Sequence, residues 1–442
     1  MKKIIFYLFN NMPKLTSFVC LIITFLFIKK ITNSNSSKFN FLVLNKERFN
    51  KDLDILMEDN DFNFYVINQN FLYYLQAPFV FFIKESLNKN KWWEIQDSIL
   101  YKKFIKNGTI FMENYINFLT KVIKINFIIT PSYYYFQDRI IENACSSTSV
   151  KYIVINKENI LDVSTLPNKI LNNLKKNISF KGHYIITQND YENKCLVDSK
   201  IASAEKIFTL GSPRFDKLYN YANKNQQSKK NINNEINITL FSFRHSIGGY
   251  KLADTLNTSG FSKISNDGAQ NYFINVHSAI MEAAYLNKNC KFYIKTKFSS
   301  GWIDRINKIK ESFIDLYEYD FNNVIVTSDI PAQELIKKSK LVIGINSSAL
   351  VEAKVFKLNV LVPIFDELMN SMSQYIYFTK YFGKDFIVAD SKNELIKSIN
   401  HFINNHSINR SPNRQLLNET FSLDVNGYTR YNKFFKSLDN NE

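Results

Sequence analysis

Short runs dominated by large apolar residues recur along this chain, and they constrain its fold more than any other feature. Residues 39–44 (FNFLVL), 62–67 (FNFYVI), 152–155 (YIVI), 184–187 (YIIT), 207–210 (IFTL), 238–243 (ITLFSF) and 324–326 (VIV) are of this kind. A strand covered on both faces, as in a parallel sheet, must be apolar on both, whereas a half-exposed strand alternates. Segments with helical spacing lie between the runs, at 48–57, 113–125, 270–286, 304–316, 332–338 and 393–404. Residues 342–363 (VIGINSSALVEAKVFKLNVLVP) give the clearest unit: a strand, Asn-Ser-Ser, a short helix, and a strand again. Strands alternating with helices build parallel sheets. The polar stretch 220–237 (NYANKNQQSKKNINNEIN) divides the alternation in two. The expectation is an α/β protein of two Rossmann-like domains facing a cleft, at 38–225 and 226–442, the second with a helical tail.

Composition bounds what such a chain does. At 442 residues it exceeds one small core. The net charge of +16 comes from scattered lysines with no dense basic block. That pattern describes solvated faces, not a dedicated nucleic-acid binder. Cys20, Cys145, Cys195 and Cys290 lie far apart, with neither zinc-ligand spacing nor a disulfide framework, so a reducing compartment and no metal are expected. The N-terminus holds fourteen uncharged residues, 15–28 (LTSFVCLIITFLFI), between Lys14 and Lys29-Lys30. A bilayer span needs about 20 residues, and no small-x-small site follows for a signal peptidase. Residues 1–37 therefore read as an apolar anchor helix and linker, spanning or lying in the interface, with the protein on the cytoplasmic side of a membrane.

Four segments carry candidate chemistry. Gly211, Pro213, Arg214 and Asp216 form a turn after the strand at 207–210, with Arg214 and Asp216 able to pair across it. Arg244 and His245 follow the first strand of the second domain, at the edge where open α/β sheets bind ligands. Lys295 and Lys297 stand at a second strand end, placed for a diphosphate. Asn346, Ser347 and Ser348 open a helix whose free N–H groups suit a phosphate, and Glu352 lies four residues on, on the same side as Ser348.

The order of these segments, strand–GSPRFD, linker, strand–FR, strand–IKTK, then SDIPAQELIKKSKLVIGINSSALVEAKVFKLNVLVP, resembles the GT-B-fold proteins of surface polysaccharide biosynthesis. These are the surface carbohydrate biosynthesis proteins and, more distantly, the CDP-glycerol glycerophosphotransferases and capsule transferases. The resemblance covers roughly residues 207–363. It implies an acceptor domain followed by a donor-nucleotide domain in which Ser347, Ser348 and Glu352 hold phosphate and ribose. Arg244, Lys295 and Lys297 would then neutralise the leaving diphosphate without a metal or other cofactor. Where many relatives have a histidine- or glutamate-glycine pair, this chain has Lys157-Glu158, which makes Glu158 the candidate general base and His245 a second catalytic candidate. Many relatives also carry His-Pro where this chain has Thr296-Lys297. The implied function is transfer of a sugar or polyol-phosphate from a nucleotide-sugar or CDP-polyol donor to a lipid-linked or glycan acceptor at a membrane surface. The alternatives are a sugar-nucleotide epimerase of related fold and a non-catalytic scaffold of polysaccharide assembly.

Overall fold

The structure, a computed structural model, describes residues 28–32, 38–67, 99–133, 138–157, 179–224, 235–243, 266–297, 300–365, 378–405, 414–422 and 427–438, with Met12 and Ile376. It divides into two compact units. The first comprises Met1–Ile160, Asn168–Arg214 and Asn426–Glu442, and the second Leu161–Pro167 and Phe215–Val425. The chain is α/β, with one Rossmann-like sheet in each unit. The division falls at Arg214/Phe215, within a helix, α5 (Pro213–Lys224), and ahead of the polar stretch where the sequence suggested it.

The first sheet has seven strands: β1 (Ile28–Lys30), β2 (Phe39–Val43), β3 (Phe62–Ile67), β4 (Phe127–Thr130), β5 (Lys151–Ile155), β6 (Tyr184–Thr187) and β7 (Ile207–Thr209). Their order is β1-β3-β2-β4-β5-β6-β7. All neighbours are parallel except β1, which runs antiparallel along β3. The pleat explains the continuous apolar runs. Phe41, Val43, Phe62, Phe64, Phe127, Ile129 and Ile153 point to one face, packed by α1 (Asn50–Leu56) and by the last helix of the chain, α12 (Gly427–Ser437). Leu42, Ile128, Tyr152, Val154 and Ile185 point to the other, packed by α2 (Ile99–Ile123) and α3 (Arg139–Cys145). The C-terminal tail, expected with the second domain, thus ends on the first. Tyr431 and Arg430 of α12 donate to the carbonyls of Gly211 and Leu210, and Lys151 donates to that of Leu438.

The N-terminal expectation changes in part. Residues 1–11 and 13–27, most of the anticipated anchor, lie outside the described residues, as do 33–37 of the anticipated linker. Ile28, Lys29 and Lys30, the last residues of the anticipated anchor, form an edge strand instead, with both lysines exposed along it, a common protection for a sheet edge. Thr32 is buried rather than a flexible link: its hydroxyl donates to Asn63 Oδ1 and accepts from Phe64 N–H. Among the described residues, no helix is long and apolar enough to cross a membrane.

The second sheet is wholly parallel and has six strands: β8 (Asn237–Phe241), β9 (Lys291–Lys295), β10 (Val324–Thr327), β11 (Leu341–Gly344), β12 (Asn359–Pro363) and β13 (Ile387–Ala389). The order β10-β9-β8-β11-β12-β13 is the doubly wound order of dinucleotide-binding sheets, and it reverses between β8 and β11. α6 (Asn266–Leu286), α7 (Ser300–Tyr317), α8 (Ala332–Lys338), α9 (Ser348–Val355), α10 (Lys392–Asn404) and α11 (Arg414–Phe421) complete this unit. α4 (Asp190–Asp198) belongs to the first.

Candidate functional site

In an open parallel sheet, the ends of the strands diverge at the point where the order reverses, and the crevice beyond their carboxyl ends accepts ligands. In the second unit that point lies between Phe241 at the end of β8 and Gly344 at the end of β11, which are register partners. Past Gly344 the chain turns through Asn346 in the left-handed region, φ 49°. Ser347 then caps α9, its hydroxyl accepting from Ala349 N–H at 3.2 Å. A Cβ on Gly344 would sit 3.2 Å from the Leu350 side chain and 3.3 Å from the Phe241 carbonyl, so glycine lets the helix start close to the strand ends.

Beyond Ser348, every residue of α9 is buried, Glu352 among them at 6% exposure. Lys354, also buried, donates to the Leu358 carbonyl at 3.3 Å. Among the described residues, Glu352 receives one long bond, from Gln333 Nε2 at 3.5 Å, the outer limit of a hydrogen bond. A buried carboxylate ordinarily collects two or more good donors, since desolvation is costly. With the described donors alone, Glu352 keeps acceptor capacity one turn from a helix N-terminus.

The other anticipated residues of this unit separate. Lys295 donates its ammonium to the carbonyls of Thr296 and Ser328, at 2.8 and 2.7 Å, and so ties the ends of β9 and β10 together. Lys297, two residues on, is exposed. Arg244 and His245 lie outside the described residues, and so does Glu158. The β8 end carries a network that the sequence did not single out. Ser242 Oγ lies 2.9 Å from His277 Nε2 and accepts from Trp302 Nε1 at 3.0 Å. His277 Nδ1 lies 2.7 Å from the Phe273 carbonyl, to which its N–H donates, leaving Nε2 to accept from Ser242. Burial holds the His277 pKa down at about 4, so the ring is neutral at physiological pH.

The GSPR turn belongs to the first unit. Gly211 has φ +73°, which glycine supplies without strain. Arg214 meets Asp52 of α1, a carboxylate absent from the sequence-based candidates. Asp52 Oδ1 accepts from Ser212 Oγ at 2.5 Å and from Arg214 N–H at 3.2 Å. Its Oδ2 faces Arg214 Nε at 3.9 Å and Lys157 Nζ at 3.5 Å. Asp216 is buried and falls in the second unit. Asp52 therefore gathers the ends of three elements, at β2, β5 and β7, on the carboxyl edge of the first sheet.

A second buried carboxyl lies on the same edge. Glu192 in the first turn of α4 accepts from Asn156 Nδ2 and from Gln188 N–H, while its own N–H goes to Asn189 Oδ1, a capping arrangement sunk into the protein. Burial pushes its pKa up to about 7. An acid raised on folding holds a proton that the unfolded chain has lost, so stability falls as pH rises from about 4.5 to about 7. The loss is on the order of 3 kcal/mol. Glu192→Gln is expected to flatten this dependence. Thermal melting of both chains between pH 4.5 and 7.5 checks it, and parallel curves would refute it. Among the described residues, no group of three or more His, Cys, Asp or Glu side chains has the arrangement to hold a metal.

The chain matches no protein-family model and no curated protein. Solved structures do resemble it. A protein from Listeria monocytogenes, provisionally assigned as a UDP-N-acetylglucosamine 2-epimerase, superposes with TM-score 0.51 at 12% identity, over 92% of this chain and 98% of its own. A glycosyltransferase from Rickettsia africae gives 0.49 at 12% identity, over 92% and 100%. The UDP-GlcNAc 2-epimerase of Neisseria meningitidis, solved with UDP-GlcNAc, gives 0.47 at 14%, over 90% and 99%. At such identity the first of these shows the fold alone: the two-unit α/β architecture of GT-B type.

Proposed function

We propose that this chain is an enzyme acting on a nucleotide sugar, which it holds at the β8/β11 reversal of the second unit. The observation that carries this reading is Glu352, a buried carboxylate that accepts one long hydrogen bond from the described residues, one turn into a helix whose start lies at the ligand edge. Ribose hydroxyls are donors of the right kind for it, and the N–H groups around Ser347 and Ser348 suit a phosphate. Lys297 and Arg244 are the cations assigned to the diphosphate, and Lys295 fixes the loops that surround it. Glu158 and His245 remain the assigned acid–base candidates.

Two reactions fit such a site. Epimerisation of the sugar comes first, because the fold match above 0.5 is to a protein assigned as a UDP-N-acetylglucosamine 2-epimerase. Transfer to a lipid-linked or glycan acceptor is the second reading, supported by the sequence resemblance over residues 207–363. Calorimetry of the whole chain with UDP, CDP, GDP, ADP and CMP tests the common premise. One nucleotide is expected to bind, and Glu352→Gln to weaken it about 10- to 150-fold, the equivalent of one charged hydrogen-bonded contact. If no nucleotide binds, a non-catalytic scaffold replaces this reading; if one binds but Glu352→Gln binds it equally well, the site assignment fails. Incubation with UDP-GlcNAc and no acceptor then separates the reactions: a changed sugar configuration by NMR means epimerase, and an unchanged sugar that is consumed only with added glycan means transferase.

A further inference from the structure

The hydrogen bonds past the end of β8 run in one direction. The Phe273 carbonyl only accepts, so His277 Nδ1 carries the ring proton and Nε2 is left as an acceptor. Ser242 Oγ therefore donates to Nε2 at 2.9 Å, in preference to the Phe243 carbonyl at 3.5 Å. That choice leaves the Ser242 lone pairs for Trp302 Nε1–H, 3.0 Å away. His277 is fully buried, with the rings of Phe273 and Phe243 centred 4.0 and 5.7 Å from its own. Trp302 itself is half-buried, and an indole so placed can give its N–H to water. A relay reaching this far inward is thus not needed for solvation. Its effect is to hold the Trp302 ring in one orientation, since each bond fixes the direction of the next.

The ring held in this way stands at the ligand edge. Ser242 directly follows Phe241, the β8 residue in register with Gly344 of β11, so the indole lies beside the reversal. The two faces of the sheet part there. α6 and α7 pack together on one face and α8 and α9 on the other, as right-handed crossovers on either side of a reversal require. Glu352 and Gln333 belong to the second pair, and Trp302 to the first.

We propose that Trp302 is the platform for the sugar ring of a nucleotide-activated pyranose, with Ser242 and His277 as its positioning residues. Trp302 takes this role only if the nucleotide reading above holds. With the ribose at Glu352 and the diphosphate at the start of α9, the group beyond the second phosphate lies across the strand ends from the ribose. That is the side on which Trp302 stands. The C–H groups on one side of a pyranose are slightly positive and meet the negative face of an aromatic ring. An open-chain polyol has no such face, so the substrate class narrows to a nucleoside-diphosphate hexose.

The test is calorimetry of the whole chain with UDP, GDP, ADP and CDP, each beside its conjugates: UDP-GlcNAc, GDP-mannose, ADP-glucose, and both CDP-glucose and CDP-glycerol. For a nucleotide that binds, the hexose is expected to tighten binding about 2- to 12-fold over the free diphosphate, and glycerol to add nothing. Trp302→Leu is expected to erase the hexose gain and leave the free nucleotide affinity unchanged, while Trp302→Phe, which keeps a ring, retains part of the gain. The chain has three tryptophans, so in Trp92→Phe/Trp93→Phe the fluorescence is that of Trp302 alone. The hexose conjugate is expected to shield it from acrylamide, the free nucleotide not to, and Ser242→Ala to lose the shielding. A chain that binds none of the four diphosphates overturns the nucleotide reading and the platform with it. A chain that binds one overturns the platform alone if the hexose adds nothing, if its gain survives Trp302→Leu, or if free and conjugated nucleotide weaken equally. Shielding by the free nucleotide as strong as by the conjugate does the same.

Discussion

Phe435→Ala is expected to cost the first unit about 3–5 kcal/mol, enough to open it under conditions where the rest of the chain stays folded. Phe435 is fully buried, and its ring centroid lies 4.8 Å from that of Phe41, 5.7 Å from Phe62 and 5.8 Å from Phe127, which come from three adjacent strands. Phe434 and Tyr431 of the same helix flank it at 5.5 and 6.2 Å. Alanine leaves a hole bordered by stiff aromatic rings that cannot collapse into it, which places the loss toward the upper end of the range. Because the two units need not unfold together, a single melting temperature is the wrong observable. Hydrogen exchange of the β2, β3 and β4 amides is the right one: protection there is expected to fall while that of β8 and β11 persists. Lys436→Ala serves as a control, since it removes only a largely exposed pair with Asp61 and is expected to leave exchange unchanged. Equal protection of β2–β4 in Phe435→Ala and the wild type would show that α12 is dispensable to that face.

Asp52→Asn is expected to destabilise the same unit by about 2–4 kcal/mol. The substitution keeps the volume but leaves Arg214 and Lys157 facing a neutral amide in a site where the carboxylate is 3% exposed. Removing one partner of a buried ion pair costs about 3–5 kcal/mol, and the residual exposure of the two cations, 11% for Arg214 and 19% for Lys157, reduces it by screening. The effect is coupled. Once Asp52 is Asn, Lys157→Met should recover part of the loss, because the cation it removes no longer has a counter-charge. Urea denaturation of the two single variants and the double variant checks this. A loss below about 1 kcal/mol, or strict additivity, would count against the cluster as an organiser of the carboxyl edge.

What the sequence disclosed depended on range. Parallel strands announce themselves because both faces are covered, and the runs at 62–67 and 184–187 match β3 and β6 residue for residue. α9 was legible from its cap and spacing, both of which act within a few residues. The same spacing did not reveal that Glu352 would be buried; packing on all sides of α9 decides that. Asp52 was not legible at all. A charged residue in a first helical turn reads as solvated, and its partner Ser212 lies 160 positions away. Glu192 and His277 were missed for a related reason: each sits in a helix of ordinary pattern, and only the neighbouring strand ends turn it into a buried polar centre. β1 and β13, three residues each, were not read from the sequence. α12 has an unremarkable polar sequence apart from its aromatic stripe, and nothing local says which sheet receives it.

The return of α12 to the first sheet also sets an order of events during synthesis. The strands that α12 covers are complete by Arg214, whereas the helix begins after Asn426, 212 residues later (426 less 214). At about 5–20 residues per second, a ribosome needs roughly 10–40 s to make the intervening chain. Throughout that interval the aromatic face built from Phe41, Phe62 and Phe127 is covered on the α1 side but lacks Phe435 and its neighbours. That face reaches its final packing only once α12 has been made, so the first unit closes after the second has been translated.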